Sequence, residues 1–206
     1  IFLITFLYLN PVYSAIDDWT SYGKDSGGGH FSKADEITPE NVKKLKKIWV
    51  HRSGDYKGGA NSAGVKGGEY QTSFQATPLL VDDTLFYCTS YNRVFALNPE
   101  TGEEKWVFDP KLKKGGRAIL ACRGLSSWKD QTKLKSDSCY HKIIGVTIDA
   151  ELFSIDGKNG KLCEDFGDNG KVNLREGLGK HPALYYWSNS PPAIINEKIV
   201  VGGSVI

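Results

Sequence analysis

The 206 residues, 40% of them hydrophobic and 24% charged, suffice for a globular core and exclude wholesale disorder. A net charge of +2 leaves no electrostatic footprint for nucleic acid, and no run of 18 apolar residues offers a membrane-spanning helix. Twenty-three glycines, ten tyrosines, nine phenylalanines and five tryptophans point to a β-rich fold with many tight turns. Methionine is absent, and the sequence opens at Ile1 and stops at Ile206 within a strand-like run, so it reads as a fragment at both ends.

The first fifteen residues, IFLITFLYLNPVYSA, read as the apolar region and cleavage zone of a secretory signal that has lost its basic start; a buried first strand is the alternative. Residues 16–206 are then one domain. Export agrees with four cysteines, Cys88, Cys122, Cys139 and Cys163, none in a C-x-x-C pair. A short helix is predicted next, capped by Thr38, with Pro39 at its first position, running through KKLKK before a strand at Ile48. Its lysines read as a solvated face.

Internal repetition follows. Asn92 to Trp106 recurs as Ala150 to Cys163, matching Phe95 with Phe153 and Gly102 with Gly160; each copy runs from alternating apolar residues through an Asn/Asp-x-x-x-Gly turn into a second strand. Trp49, Trp106 and Cys163 keep a constant separation of 57 residues. Thr77 to Phe86 likewise matches Ser190 to Val200, two Pro-led hairpins. Four short strands per unit, without helices between, make an all-β fold and a partial β-propeller. Two blade insertions are expected, at Gly54 to Gly68 and Lys111 to Ser138. An incomplete propeller leaves open sheet edges, so the chain should belong to a larger ring.

The string A-x-N-x-x-T-G-x-x-x-W at Ala96 to Trp106 resembles the tryptophan-docking motif of quinoprotein dehydrogenases, eight-bladed propellers that carry pyrroloquinoline quinone (PQQ). FQATPLLVDDTLFYCTSYNRVFAL, ACRGLSSW, CEDFGDNGKVNL, SPPAII and VVGGSV resemble, in order, the first half of the membrane-bound glucose, quinate and polyol branch. On that resemblance the chain holds about two to three of eight blades.

The resemblance implies cofactor contacts at Gln75 in FQATP, Arg123 in the CRG string, Asn189 before SPP, and Ser204 in GGSV. Arg123 suits a ligand bearing three carboxylates, or charge developing on the quinone oxygens; a salt bridge on a loop is its plainer role, and turn or strand-end roles remain open for Asn189 and Ser204. Tyr91 stands where glucose-type relatives place a substrate histidine, and is either a substrate contact or a strand aromatic in the blade core. Cys122 and Cys139 bracket an insertion and are expected to form a loop-closing disulfide, with two buried free thiols as the alternative. No metal ligands are assigned in this chain; the general-base aspartate and the ligands of a calcium ion are expected beyond residue 206.

The four histidines show no zinc-site spacing, and the glycine clusters match no phosphate-binding loop. The implied activity is oxidation of an alcohol carbon of a sugar, polyol or cyclic hydroxy acid, with electrons passing to a quinone acceptor. The implied location is the periplasm, with membrane association through missing segments. A non-enzymatic envelope propeller that binds proteins is the alternative, and a truncated, inactive product is a third.

Overall fold

The computed structural model describes residues 18–25, 27–55, 71–112, 119–180 and 186–205. The signal-like segment and most of the Gly54 to Gly68 stretch lie outside them. Strands appear in the order β1 (Gln71–Thr77), β2 (Leu79–Val81), β3 (Thr84–Cys88), β4 (Val94–Leu97), β5 (Glu104–Phe108), β6 (Ile119–Gly124) and β7 (Ser126–Lys129). They continue as β8 (His141–Val146), β9 (Glu151–Asp156), β10 (Lys171–Asn173), β11 (Tyr186–Trp187), β12 (Ala193–Ile195), β13 (Lys198–Val200) and β14 (Ser204–Val205).

Two four-stranded antiparallel sheets result, β2-β3-β4-β5 and β7-β8-β9-β10, and a third unit begins with the β12–β13 hairpin. This is the partial propeller expected from the repeats. The matched hairpins are built alike: Asp82 and Asp83 both have positive φ, as do Asn196 and Glu197, the two-residue turn geometry that suits the twist of paired strands. Leu79 faces Phe86 in one hairpin and Ala193 faces Val200 in the other. First strands of consecutive units touch, β2 to β7 and β7 to β12, so they gather about a common axis.

The core lies between sheets. Phe86, Val94 and Ala96 of the first blade pack with Leu125, Ile143, Phe153 and Ile155 of the second. Across the next seam Ile144, Val146 and Leu152 meet Ile194, Ile199 and Val201. The docking motif is literal. Trp49 Nε1 donates to the carbonyl of Pro99 at 3.1 Å with its ring over Gly102, and Trp106 Nε1 donates to that of Gly157 at 3.2 Å with its ring over Gly160. Both glycines have φ near +70°, and a Cβ on either would stand 2.6 Å from the indole. Only glycine fits such a close, left-handed approach.

Three expectations need correction. The predicted helix is a single 3-10 turn, Val42–Lys44, with no side-chain cap from its N-cap Asn41 and no buried residue. Lysines at 43, 44, 46 and 47 leave no apolar stripe to bury, and so short a helix cannot stand without one. The stretch Lys111 to Ser138 is not one insertion, since it contains β6 and β7. What is inserted is the long connection from Lys129 to His141, where the first blade has two residues. The disulfides are Cys88–Cys122 and Cys139–Cys163, with Cα separations of 6.0 and 5.8 Å, so Cys122 does not pair with Cys139. Cys122 lies on β6 over the end of β3, whereas Cys139 lies in the insertion beside the end of the β9 turn. There the buried carboxylate of Asp156 accepts the Cys139 N–H at 2.7 Å.

Candidate functional site

Each unit is preceded by a short lead-in to its first strand, and three lead-ins converge. β1 ends in Gln75-Ala76-Thr77 before β2, β6 carries Arg123-Gly124 before β7, and Asn189-Ser190-Pro191-Pro192 precedes β12. β1 and β6 run parallel, Phe74 opposite Cys122, with a break in register before Thr77 meets Gly124. Within that break Arg123 Nε donates to Gln75 Oε1 at 3.2 Å. The Arg123 backbone N–H donates to the carbonyl of Asn189 at 2.9 Å, and the Ser126 hydroxyl donates to that of Pro192. The Cys88–Cys122 bridge fixes the residue next to Arg123 onto the first blade.

A cleft of about 410 Å³ opens at this junction, lined by Tyr22, Gln75, Arg123, Ser190 and Pro191. That volume lies within the range of about 300–1,000 Å³ usual for small-molecule sites. Arg123 is exposed and is the one cation among the described residues of the lining. Among the described residues no carboxylate pairs with it. A guanidinium held at Nε by a neutral amide keeps its terminal nitrogens for an anion. The Tyr22 ring and Pro191 add apolar surface.

Of the residues expected from the sequence, the structure brings Gln75 and Arg123 together, and Asn189 to them through its carbonyl. Ser204 is elsewhere, exposed on β14 opposite Trp187 of β11 and outside the lining. Tyr91 is half-buried in the β3–β4 turn, also outside the lining, although neighbouring Ser90 donates to the carbonyl of Ser73 on β1 at 3.0 Å. Tyr22 was missed. It reaches the cleft because Trp19 bridges Leu80 of β2 through two backbone hydrogen bonds and Thr20 accepts from the Ser127 N–H of β7. No local spacing signals such long-range pairing.

Two other polar clusters do not resemble metal or cofactor sites. Cys139, Cys163 and Asp165 lie close together, but the two thiols are consumed in their disulfide. At the outer edge of the first blade the Tyr87 hydroxyl meets His51 Nδ1 at 2.5 Å, and His51 Nε2 meets Glu104 at 2.7 Å. Burial, reinforced by the carboxylates of Glu104 and Asp55 and opposed by Arg93, pushes the Tyr87 phenol up to about 12.

The family model "PQQ: Glucose/ethanol/alcohol dehydrogenase, beta-propeller domain" matches residues 19–206. The chain belongs to this PQQ dehydrogenase family. It is 37% identical over 202 residues to the quinoprotein glucose dehydrogenase of Escherichia coli K12, covering 96% of this chain and 24% of that protein. It is 32% identical to the quinate/shikimate dehydrogenase (quinone) of Acinetobacter baylyi, covering 91% of this chain and 24% of that protein. The fold is similar to that of the quinohemoprotein alcohol dehydrogenase from Comamonas testosteroni, with a TM-score of 0.65 at 22% identity over 92% of this chain and 23% of that one. The chain therefore spans about a quarter of the length of the relatives it matches.

Proposed function

We propose that the full-length protein is a PQQ-dependent dehydrogenase that oxidises an alcohol carbon of a sugar, polyol or cyclic hydroxy acid, and that this chain supplies one wall of its cofactor site. The observation carrying this reading is the convergence of three successive blade lead-ins on one cleft around Arg123 and Gln75. The donor set suits PQQ: a guanidinium fork matches a carboxylate, and Tyr22 and Pro191 offer apolar surface to a flat ring.

When bound, PQQ supplies the two-electron acceptor for the alcohol carbon. The residues of this chain bind and orient. Arg123 Nη1 and Nη2 hold an anionic rim group, and their charge favours negative charge developing nearby. Gln75 Oε1 fixes the guanidinium plane, and the Asn189 carbonyl fixes the backbone behind it. The general base and the calcium ligands belong, in this proposal, to later blades. Tyr91 remains a proposed substrate contact and Ser204 a proposed cofactor contact, each requiring neighbours outside the described residues.

The names of the relatives support sugars and hydroxy acids as substrates and a quinone as electron acceptor. All four cysteines are paired, which supports an oxidising compartment, and we propose the periplasm with association to the inner membrane. Among the described residues no helix is long and apolar enough to cross a membrane.

The test is titration of the full-length protein, purified without cofactor, with PQQ and calcium, followed by dye-linked oxidation of glucose, quinate and several polyols. Arg123→Ala should weaken PQQ binding by about tenfold to a hundredfold, the worth of a hydrogen bond to a charged group. An absence of saturable binding at micromolar PQQ would overturn the reading in favour of an envelope scaffold.

A further inference from the structure

The first strands β2 and β7 each leave one edge unpaired within their sheets, and because first strands gather about the common axis, those edges face it. Open strand edges are normally covered or blunted. Here one segment, Asp18 to Tyr22, covers both. The Trp19 N–H donates to the Leu80 carbonyl at 2.7 Å, and the Trp19 carbonyl accepts from the Leu80 N–H at 3.1 Å, an antiparallel bridge to the middle of β2. One residue on, the Thr20 carbonyl accepts from the Ser127 N–H of β7 at 3.0 Å. The segment therefore lies between two blades at the axis itself.

Its course is fixed at both ends. Asp18 sits at the turn end of β2, where Oδ1 accepts from the Asp82 N–H at 3.3 Å and Oδ2 pairs with Lys129 Nζ at 3.5 Å; that lysine also pairs with Asp82 at 2.8 Å. The Trp19 side chain packs on the core between the first two blades. Tyr22 stands at the opposite end, in the cleft with Gln75 and Arg123. Beyond it the chain turns back on itself. The Gly23 carbonyl accepts from the His30 N–H at 3.1 Å, and Asp25 Oδ1 accepts from the N–H groups of Gly27 and Gly29 at 2.9 and 3.2 Å. The rings of Tyr22 and His30 meet edge to face with centroids 5.1 Å apart, so this turned-back head holds Tyr22 at the cleft.

A strand lying along the axis takes up the space through which water would otherwise reach the cleft from behind. We propose that residues 18–22 are an axial plug of the cofactor site: they close its channel side, so that ligand enters and leaves from the lead-in side alone, and Tyr22 is the plug's contact with the bound cofactor. The consequence is retention. A ligand with one exit, lying against a half-exposed aromatic ring, leaves slowly, and water is kept from its rear face. The Tyr22 contact rests on the cofactor reading, whereas the closed channel rests on the backbone bonds alone.

Both halves are tested on the full-length protein. Without cofactor, the amides of Leu80 and Ser127 should exchange with solvent at least about a hundredfold more slowly than in an unstructured peptide. Trp19→Pro, which deletes the donor to the Leu80 carbonyl, should speed both while exchange along β8 and β9 is unchanged. After loading with PQQ and calcium, Tyr22→Ala should release PQQ about tenfold faster at an unmoved urea midpoint, and Tyr22→Phe should release it at the parental rate. Free exchange at Leu80 and Ser127 in the folded protein overturns the plug, as does a Tyr22→Ala variant that holds PQQ as long as the parent. A parent that binds no PQQ overturns the cofactor reading and the Tyr22 contact with it, and the exchange rates then decide the closed channel by themselves.

Discussion

Gly160→Ala isolates the contact on which consecutive blades depend. The substitution forces alanine into φ +70°, costing about 1–2 kcal/mol in the left-handed region. Its Cβ would stand 2.6 Å from Trp106 Cε3 and 2.9 Å from Cδ2, so a rigid, docked ring has to move. Such overpacking costs about 1–3 kcal/mol. Displacing the indole also endangers its 3.2 Å hydrogen bond to the Gly157 carbonyl, worth about 0.5–1.5 kcal/mol. The expected loss is about 3–6 kcal/mol. Gly177 is the control: its φ is +79°, but nothing lies within 4 Å of a Cβ there, so Gly177→Ala bears the backbone cost alone. Urea denaturation of the full-length protein, followed by tryptophan fluorescence, measures both. A double-mutant cycle with Trp106→Ala assigns the excess to the indole. If Gly160→Ala costs no more than Gly177→Ala, the docked tryptophan does not hold the seam and the reasoning is refuted.

Non-reducing peptide mapping should recover Cys88 linked to Cys122 and Cys139 linked to Cys163, and a Cys122–Cys139 peptide would contradict the fold. With separations of 34 and 24 residues, loss of these bridges is expected to cost about 3.8 and about 3.4 kcal/mol by loop-closure entropy, read as a lowered denaturation midpoint on reduction. Tyr87 should make the protein alkali-sensitive. Its phenol is raised to about 12 in the fold from an ordinary 10, so its contribution is complete below pH 10 and is lost as pH rises toward 12. Tyr87→Phe should flatten the stability profile across that window, and an unchanged slope would count against the buried Tyr87–His51 pair.

How much the sequence disclosed depended on the range of the interaction. The hairpins at Asp82-Asp83 and Asn196-Glu197, and the glycine turns at Gly102 and Gly160, are local. Their backbone demands are written in a few adjacent residues, and the 57-residue repeat then exposes the blades. Motif resemblance singled out Arg123 and Gln75, which the fold brings into one cleft, because resemblance carries long-range information that spacing alone does not; their contact with the cofactor is the proposal made above. Three features were not legible. The disulfide partners are set by which strand ends meet across blades, and Cys122 and Cys139 flank a loop without facing each other. β7 was hidden because Ser126, Ser127, Trp128 and Lys129 form a short, weakly apolar run inside a lysine-rich stretch. Tyr22 enters the cleft only because Trp19 adds a bridge to β2. At KKLKK the local helix signals at Thr38 and Pro39 lost to the absence of anything to pack against.

Cys163 stands where the series Trp49, Trp106 leads one to expect a third indole, and it is tied backward to Cys139 of its own blade. Two joints in this row are therefore pinned by an aromatic plug, while the next is held by Ile144, Val146 and Leu152 pressing on Ile194, Ile199 and Val201, and by the Arg123 N–H and Ser126 hydroxyl donating to the carbonyls of Asn189 and Pro192. Apolar packing of that kind resists separation across the seam but offers little against sliding along it, which is left to those two hydrogen bonds beside the first strands. Under load, the row of sheets should yield first at this joint without an indole, which gives the protein a built-in line of weakness one blade away from its best-fastened one.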